Sequence, residues 1–198
     1  MIITNIKLQK NKRYAVYIDG KYALSVDART LAESCLSEGD EITQSQLEKL
    51  ASIAGDRAAN DRAMNILSYR DHSKEELRRK LIRTVGEERA EKAVEHMEEL
   101  GLIDDTKYAE KLAHELLDRR LMGEARALFE MTKRGIDRET ALCAIENAES
   151  DPVDRIIKFL SKKYPQWKED EKVRRRAMAA LSRNGFKWED ISKAIDEF

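Results

Sequence analysis

The side chains able to carry bond-making chemistry are few and scattered. His72, His96 and His114 stand 24 and 18 residues apart, so no two of them share a helix turn. The sequence holds no HExxH, GxSxG or CxxC spacing and no glycine-rich phosphate loop. Cys35 and Cys143 are too few and too far apart for a disulfide framework or a zinc site. Cys143, between Leu142 and Ala144, is expected to serve as a small packing residue. Among adjacent carboxylates, Asp104-Asp105 most invites a catalytic reading. It follows Leu102-Ile103 and precedes a helix starting near Thr106, so capping is the simpler role: Asp105 is expected to cap that helix and Asp104 to complement its positive end. The expectation is a protein without catalysis, metal or cofactor.

Cations are more informative. The 37 Lys and Arg nearly balance the 38 Asp and Glu, which argues against a uniformly basic coat, but the charge is segregated. Residues 151–198 carry net +3, residues 56–104 and 105–150 each carry net −2, and residues 1–55 are neutral. Three clusters stand out: Lys74, Arg78, Arg79, Lys80 and Arg83; Arg119, Arg120, Arg126, Lys133 and Arg134; Lys172, Arg174, Arg175, Arg176 and Arg183. In the last cluster Val173, Ala177, Ala180 and Leu181 would form a buried helical stripe. Lys172, Arg176 and Arg183, at i, i+4 and i+11, lie close to one line on another face. Arg126 and Lys133, seven apart, align likewise. A broken basic track of this kind suits a nucleic-acid backbone or a protein partner of mixed charge.

The elements that must carry these residues are mostly helices. Charged residues reach 38%, with two prolines and eight glycines in 198 residues, while 41% hydrophobic content leaves ample core material. The start of the chain is the exception. Tyr14, Val16 and Ile18 alternate, as do Tyr22, Leu24 and Val26, around an Asp19-Gly20 hairpin turn, and Ile6 and Leu8 give a weaker third run. Asp27 can cap a short helix through Leu31. Thr43 with Gln46 forms a capping box for a helix through Leu47, Leu50 and Ile53, which Gly55 would end. Beyond position 55 the pattern is helical throughout, with Ser73 to Glu76 as another capping box and Asp151-Pro152 as a helix start.

These helices repeat. Anchored on Arg83-Thr84-Val85, Arg134-Gly135-Ile136 and Asn184-Gly185-Phe186, three segments superimpose with periods of 51 and 50. Ala90, Ala141 and Ile191 follow at one offset; Val94, Ile145 and Ile195 follow at another. The predicted fold is mainly α: an N-terminal β-containing hairpin and helix module at 1–55, then three tandem three-helix repeats at 56–104, 105–150 and 151–198, stacked as an elongated curved solenoid. The basic clusters fall on the middle helix of each repeat. No run approaches the length of a membrane span or a signal peptide, so the expected compartment is the reducing cytoplasm.

The stretch Gly101 to Ala109, with its hydrophobic pair, two aspartates and Tyr108-Ala109, resembles the signature of the RecX family of recombinase regulators. Ser73-Lys74-Glu75-Glu76-Leu77 with Lys80-Leu81 looks like that family's opening, and Gly123 to Arg126 followed by Lys133-Arg134-Gly135-Ile136 is similar to its second-repeat stretch. Thr84 where glycine is common, Glu124 where proline is common, and Ala127 for a larger aliphatic depart from the pattern. The resemblance implies a non-enzymatic modulator that binds the RecA-type recombinase filament along its groove; a monomer is expected. It would usually inhibit strand exchange, ATP hydrolysis and coprotease action, meeting single- and double-stranded DNA weakly or through the filament. It also implies a setting in homologous recombination, DNA repair and the SOS response. A helical module acting directly on DNA stays open as the alternative.

Overall fold

The structure is a computed structural model that describes residues 1–197. It is mainly helical, with 63% of the chain in helix and one small sheet near the start. By internal contacts the chain divides into two compact units: Met1–Arg70 with Leu77–Leu102, and Asp71–Glu76 with the chain from Ile103 onward.

In the first unit, β1 (Ile3–Leu8), β2 (Tyr14–Ile18) and β3 (Lys21–Val26) form an antiparallel sheet in that order. Asp19 and Gly20 take the positive φ angles, 49° and 77°, that let a two-residue turn follow the strand twist. Ile3, Val16, Ile18 and Val26 bury one face of the sheet against Ile42, Leu50 and Ala54. Helix α1 (Ala28–Ser34) is capped by Asp27, whose carboxylate accepts from the Thr30 N–H at 2.8 Å.

Helix α2 (Gln44–Leu67) opens on the capping box as expected. The Gln46 N–H donates to Thr43 Oγ1 at 3.3 Å, and Gln46 Oε1 accepts from the Thr43 N–H at 2.9 Å. It does not stop at Gly55. The helix runs 24 residues through that position, and the glycine serves close approach instead: a methyl there would meet the Arg89 guanidinium at 2.5 Å. Arg89 comes from α4 (Glu87–Glu99), which packs along α2 and reaches Asp56 at 3.6 Å. The buried Ala59 and Ala63 of α2, and Ala90 and Ala93 of α4, are small enough to let two helices lie close.

Helix α3 (Lys74–Val85) crosses the division between the units. It passes into α4 through a single residue, Gly86, at φ 83°. Thr84, which departs from the family's glycine, therefore lies inside α3, and Gly86 makes the turn.

The second unit holds two three-helix sets. The first is α5 (Asp105–His114), α6 (Glu124–Lys133) and α7 (Arg138–Asn147). The second is α8 (Pro152–Lys163), α9 (Glu171–Arg183) and α10 (Trp188–Asp196). Helix α5 continues into a π-helical turn, Glu115–Arg119, where the Arg120 N–H reaches back five residues to the Glu115 carbonyl at 3.0 Å. The repeat is visible in what is buried. Met131, Ile136, Ala141 and Ala144 of one set answer Leu181, Phe186, Ile191 and Ala194 of the other, each fifty positions on. Ala90, Ala93 and Val94 of α4 stand fifty-one positions before Ala141, Ala144 and Ile145, and all six are buried.

Two further sequence expectations are corrected. Asp104, not Asp105, caps α5: its carboxylate accepts from the Lys107 N–H at 3.0 Å while its backbone is extended. Asp105 is the first helical residue, and its carboxylate accepts instead from the Lys74 N–H at 2.9 Å, satisfying an end amide of α3. Cys143 is exposed on α7, and Ala141, Ala144 and Ile145 do the packing there.

Candidate basic interface

Two junctions within the second unit close helix ends. At one, the Gly123 N–H at the start of α6 donates to the Asn184 carbonyl at the end of α9, 2.9 Å away. At the other, Ser73 Oγ at the start of α3 donates to the Arg134 carbonyl at the end of α6 at 2.5 Å. The partners are 61 residues apart in both cases. At the first, a backbone amide that opens α6 meets the carbonyl that closes α9; at the second, the Ser73 hydroxyl, which itself accepts from the Glu76 N–H, meets the carbonyl that closes α6, so orphan groups at both helix ends are satisfied.

Side chains reinforce these joints. Asn184 Nδ2 donates to the Leu121 carbonyl at 2.6 Å, and Lys187 Nζ lies 3.1 Å from Glu124 Oε2. The Glu124 carboxylate raises the Lys187 pKa by hydrogen bonding and by charge. At the other joint Arg134 Nη1 donates to the Tyr108 hydroxyl at 3.1 Å. Gly123 has no room for a side chain: a Cβ there would run into the backbone of Gly185 and Phe186.

The basic residues divide by what they touch. On α9, Lys172, Arg176 and Arg183 are exposed, and their side chains have no ion-pair or hydrogen-bond partner among the described residues; the same holds for Arg174, and for Arg83 on α3 and Arg119 in the π-helical turn. Arg175 pairs with Glu171 at 2.5 Å, Arg120 with Glu115 at 2.6 Å and Arg126 with Glu130 at 2.6 Å. Arg79 and Lys133 are exposed, and Lys74 is half-buried with its backbone N–H committed to Asp105. Arg78 and Arg134 serve the fold. Arg78 brackets α3 to α4 through Glu87 at 2.9 Å and Glu91 at 3.1 Å, and Arg134 is half-buried against Tyr108.

The expected stripe on α9 is in place: Ala177 and Leu181 are fully buried, Val173 and Ala180 half-buried, and the three aligned cations point away. Phe129 was not among the residues singled out by charge. It stands at i+3 from Arg126, with that guanidinium 5.6 Å from its ring centroid, and it is 55% exposed. The spacing Arg126, Phe129, Lys133 is its sequence signal.

Elsewhere the unit holds a buried cation. Arg155 is 3% exposed; Nη1 donates to the Ser150 carbonyl at 2.7 Å, while Nε and Nη2 have no hydrogen-bond partner among the described residues and the guanidinium lies 6.0 Å from the Phe186 ring centroid. Burial lowers its pKa against the pull of Glu124, Asp118, Asp151 and Asp190. Asp118 is held by Ser150 at 2.6 Å and at 3.0 Å by His114, an exposed residue at the end of α5. No group of three or more His, Cys, Asp or Glu able to hold a metal ion occurs among the described residues, and no described helix is long and apolar enough to cross a membrane.

Known proteins with similar sequences and structures converge. Family profiles match at residues 1–43 (Regulatory protein RecX N-terminal domain), 59–97 (RecX, first three-helix domain) and 149–195 (RecX, third three-helix domain). The Regulatory protein RecX of Caldanaerobacter subterraneus subsp. tengcongensis is 30% identical over 200 residues, covering 99% of each chain. That of Clostridioides difficile is 25% identical, covering 99% of this chain and 95% of its own. Among solved structures, a crystal structure of regulatory protein RecX aligns over 98% of both chains with a TM-score of 0.72 at 23% identity. RecX from Lactobacillus salivarius covers 72% of this chain and 96% of its own, with a TM-score of 0.64 at 22% identity. At these identities the two structures speak to the fold.

Proposed function

The chain belongs to the RecX family of regulatory proteins, and on that premise we propose that it regulates a RecA-type recombinase by binding the recombinase–DNA filament and inhibiting strand exchange, ATP hydrolysis and coprotease action. It acts as a monomer in the cytoplasm, within homologous recombination, DNA repair and the SOS response, and it makes or breaks no covalent bond. The observation that carries this reading is the line of unpartnered cations Lys172, Arg176 and Arg183 on the exposed face of α9. Cations already spent on neighbouring carboxylates have little left for a partner. Unpaired ones can release counterions to phosphates or pair with acidic protein groups, and they also steer encounter.

Within the same unit Arg119 and Arg174 extend this supply, with Arg126, Lys133 and Arg175 at its margins; Arg79 and Arg83 are exposed cations of α3 in the first unit. The mixed charge of the chain suits a filament, which offers both phosphate and protein carboxylates.

The test is the single-stranded-DNA-dependent ATPase of the cognate recombinase with this protein titrated in. Inhibition that saturates near stoichiometric amounts supports the reading, and no change at those amounts rejects it. Tight binding to duplex DNA without recombinase, with no effect on the ATPase, would favour direct action on DNA instead.

A further inference from the structure

Phe129 interrupts a row of cations. The fifty-residue repeat sets Arg126, Phe129 and Lys133 of α6 against Arg176, Ala179 and Arg183 of α9, so an exposed phenylalanine occupies the slot where the sister helix has alanine. On each helix the three positions fall within about 60° of one another around the axis. The joint between Gly123 and Asn184 brings the end of α9 to the start of α6, and a Cβ at Gly185 would meet the Arg126 backbone N–H at once. The unpaired line Lys172, Arg176, Arg183 therefore leads to the α6 turn that bears Arg126, whose guanidinium lies 5.6 Å from the Phe129 ring centroid.

We propose that Phe129 is a base-stacking platform for single-stranded nucleic acid, with the phosphates held by Lys172, Arg176 and Arg183. This rests on the reading of the basic line above and names the strand state that line accepts. An aromatic ring within a cationic row matches both parts of a single strand: the cations neutralise the backbone, and any unstacked base presents a π-face to the ring. A duplex keeps its base faces inside the stack and offers the ring nothing. A purely protein partner could meet the cations with carboxylates and the ring with an apolar side chain, but it would show no preference for a strand with bases over an abasic one, which is what the experiment reads.

The experiment is fluorescence anisotropy with a labelled oligo(dT) and an abasic oligonucleotide of equal length, which has the phosphates but no bases. It is run on the full chain, on Phe129→Ala, and on Phe129→Trp, which keeps a π-face. The parent should bind oligo(dT) about tenfold more tightly than the abasic strand. Phe129→Ala should remove that preference and leave abasic binding unchanged, while Phe129→Trp restores it. Equal binding of both strands by the parent, no binding of either, or a Phe129→Ala variant that keeps the preference each overturns the proposal. The recombinase ATPase is read on the same variants. A parent that prefers oligo(dT) but fails to inhibit supports the platform and overturns only the filament reading. A Phe129→Ala variant that binds oligo(dT) normally but loses inhibition assigns the ring to the recombinase protein and overturns the platform.

Discussion

The Asn184 carbonyl accepts the Gly123 N–H at 2.9 Å, and the Asn184 side-chain amide reaches past that glycine to donate to the Leu121 carbonyl at 2.6 Å. One residue thus closes the amide end of α6 and holds Leu121, whose φ is 53°, in its left-handed conformation. Any side chain at position 123 would strike the backbone of Gly185, which cannot step aside. Gly123→Ala should therefore destabilise the protein by about 1–3 kcal/mol through overpacking. Gly55→Ala is the contrast: the atoms it would meet belong to the far end of the Arg89 side chain, and alanine favours the helix interior by about 1 kcal/mol. Chemical denaturation should show Gly123→Ala shifted well to lower midpoint and Gly55→Ala unchanged or slightly raised.

Asp104 caps α5, and its pKa is lowered by the Lys107 backbone N–H first and by the Lys107 side chain second. A carboxyl depressed on folding adds stability above its unfolded value of 3.8, and that stability is lost as the pH falls below 3.8 through the folded value. Asp137, which caps α7 through Thr140, acts in the same direction. Asp104→Asn should keep most of the cap at neutral pH and flatten the acid limb of a stability profile. Asp104→Ala should lower the melting temperature at neutral pH by removing the cap. An acid limb that is identical in parent and Asp104→Asn would contradict the assignment.

Neutralising Lys172, Arg176 and Arg183 together should weaken inhibition of the recombinase without unfolding the chain. They lie off the stripe of Ala177 and Leu181, and exposed substitutions of this kind stay within about 0.5 kcal/mol each. Raising salt should mimic the variant, because exposed charges are screened over about 8 Å at physiological ionic strength. A triple variant that melts and inhibits like the parent across salt would reduce the line to solvated surface.

Arg78 should behave in the opposite way. Its guanidinium is engaged by Glu87 and Glu91, all three partly or largely exposed, so Arg78→Ala should cost no more than about 1 kcal/mol. Its inhibition should match the parent's once folding is equalised. A loss of inhibition at unchanged melting temperature would return Arg78 to the interface.

Periodicity and local chemistry alone determined much of this protein. The β-hairpin at Asp19-Gly20, the caps at Asp27 and Thr43, and the buried positions of α9 are legible because each depends on residues within one turn or one helix face. So is the alignment of Lys172, Arg176 and Arg183, a matter of helix angle alone. Only the tertiary structure decided what glycines and charges are used for. Gly55 lies inside a helix rather than at its end, and the space above it is taken by the side chain of Arg89, 34 positions later. Asp105 serves α3 rather than its own helix because the fold brings Lys74 to it. Arg78 looks like Arg176 in sequence, yet α4 brings Glu87 and Glu91 to it, and no carboxylate reaches Arg176 among the described residues. The physical reason is common to all three: whether a backbone amide or a charge is satisfied depends on what approaches it, and neither helix periodicity nor residue type encodes the approach of a distant segment.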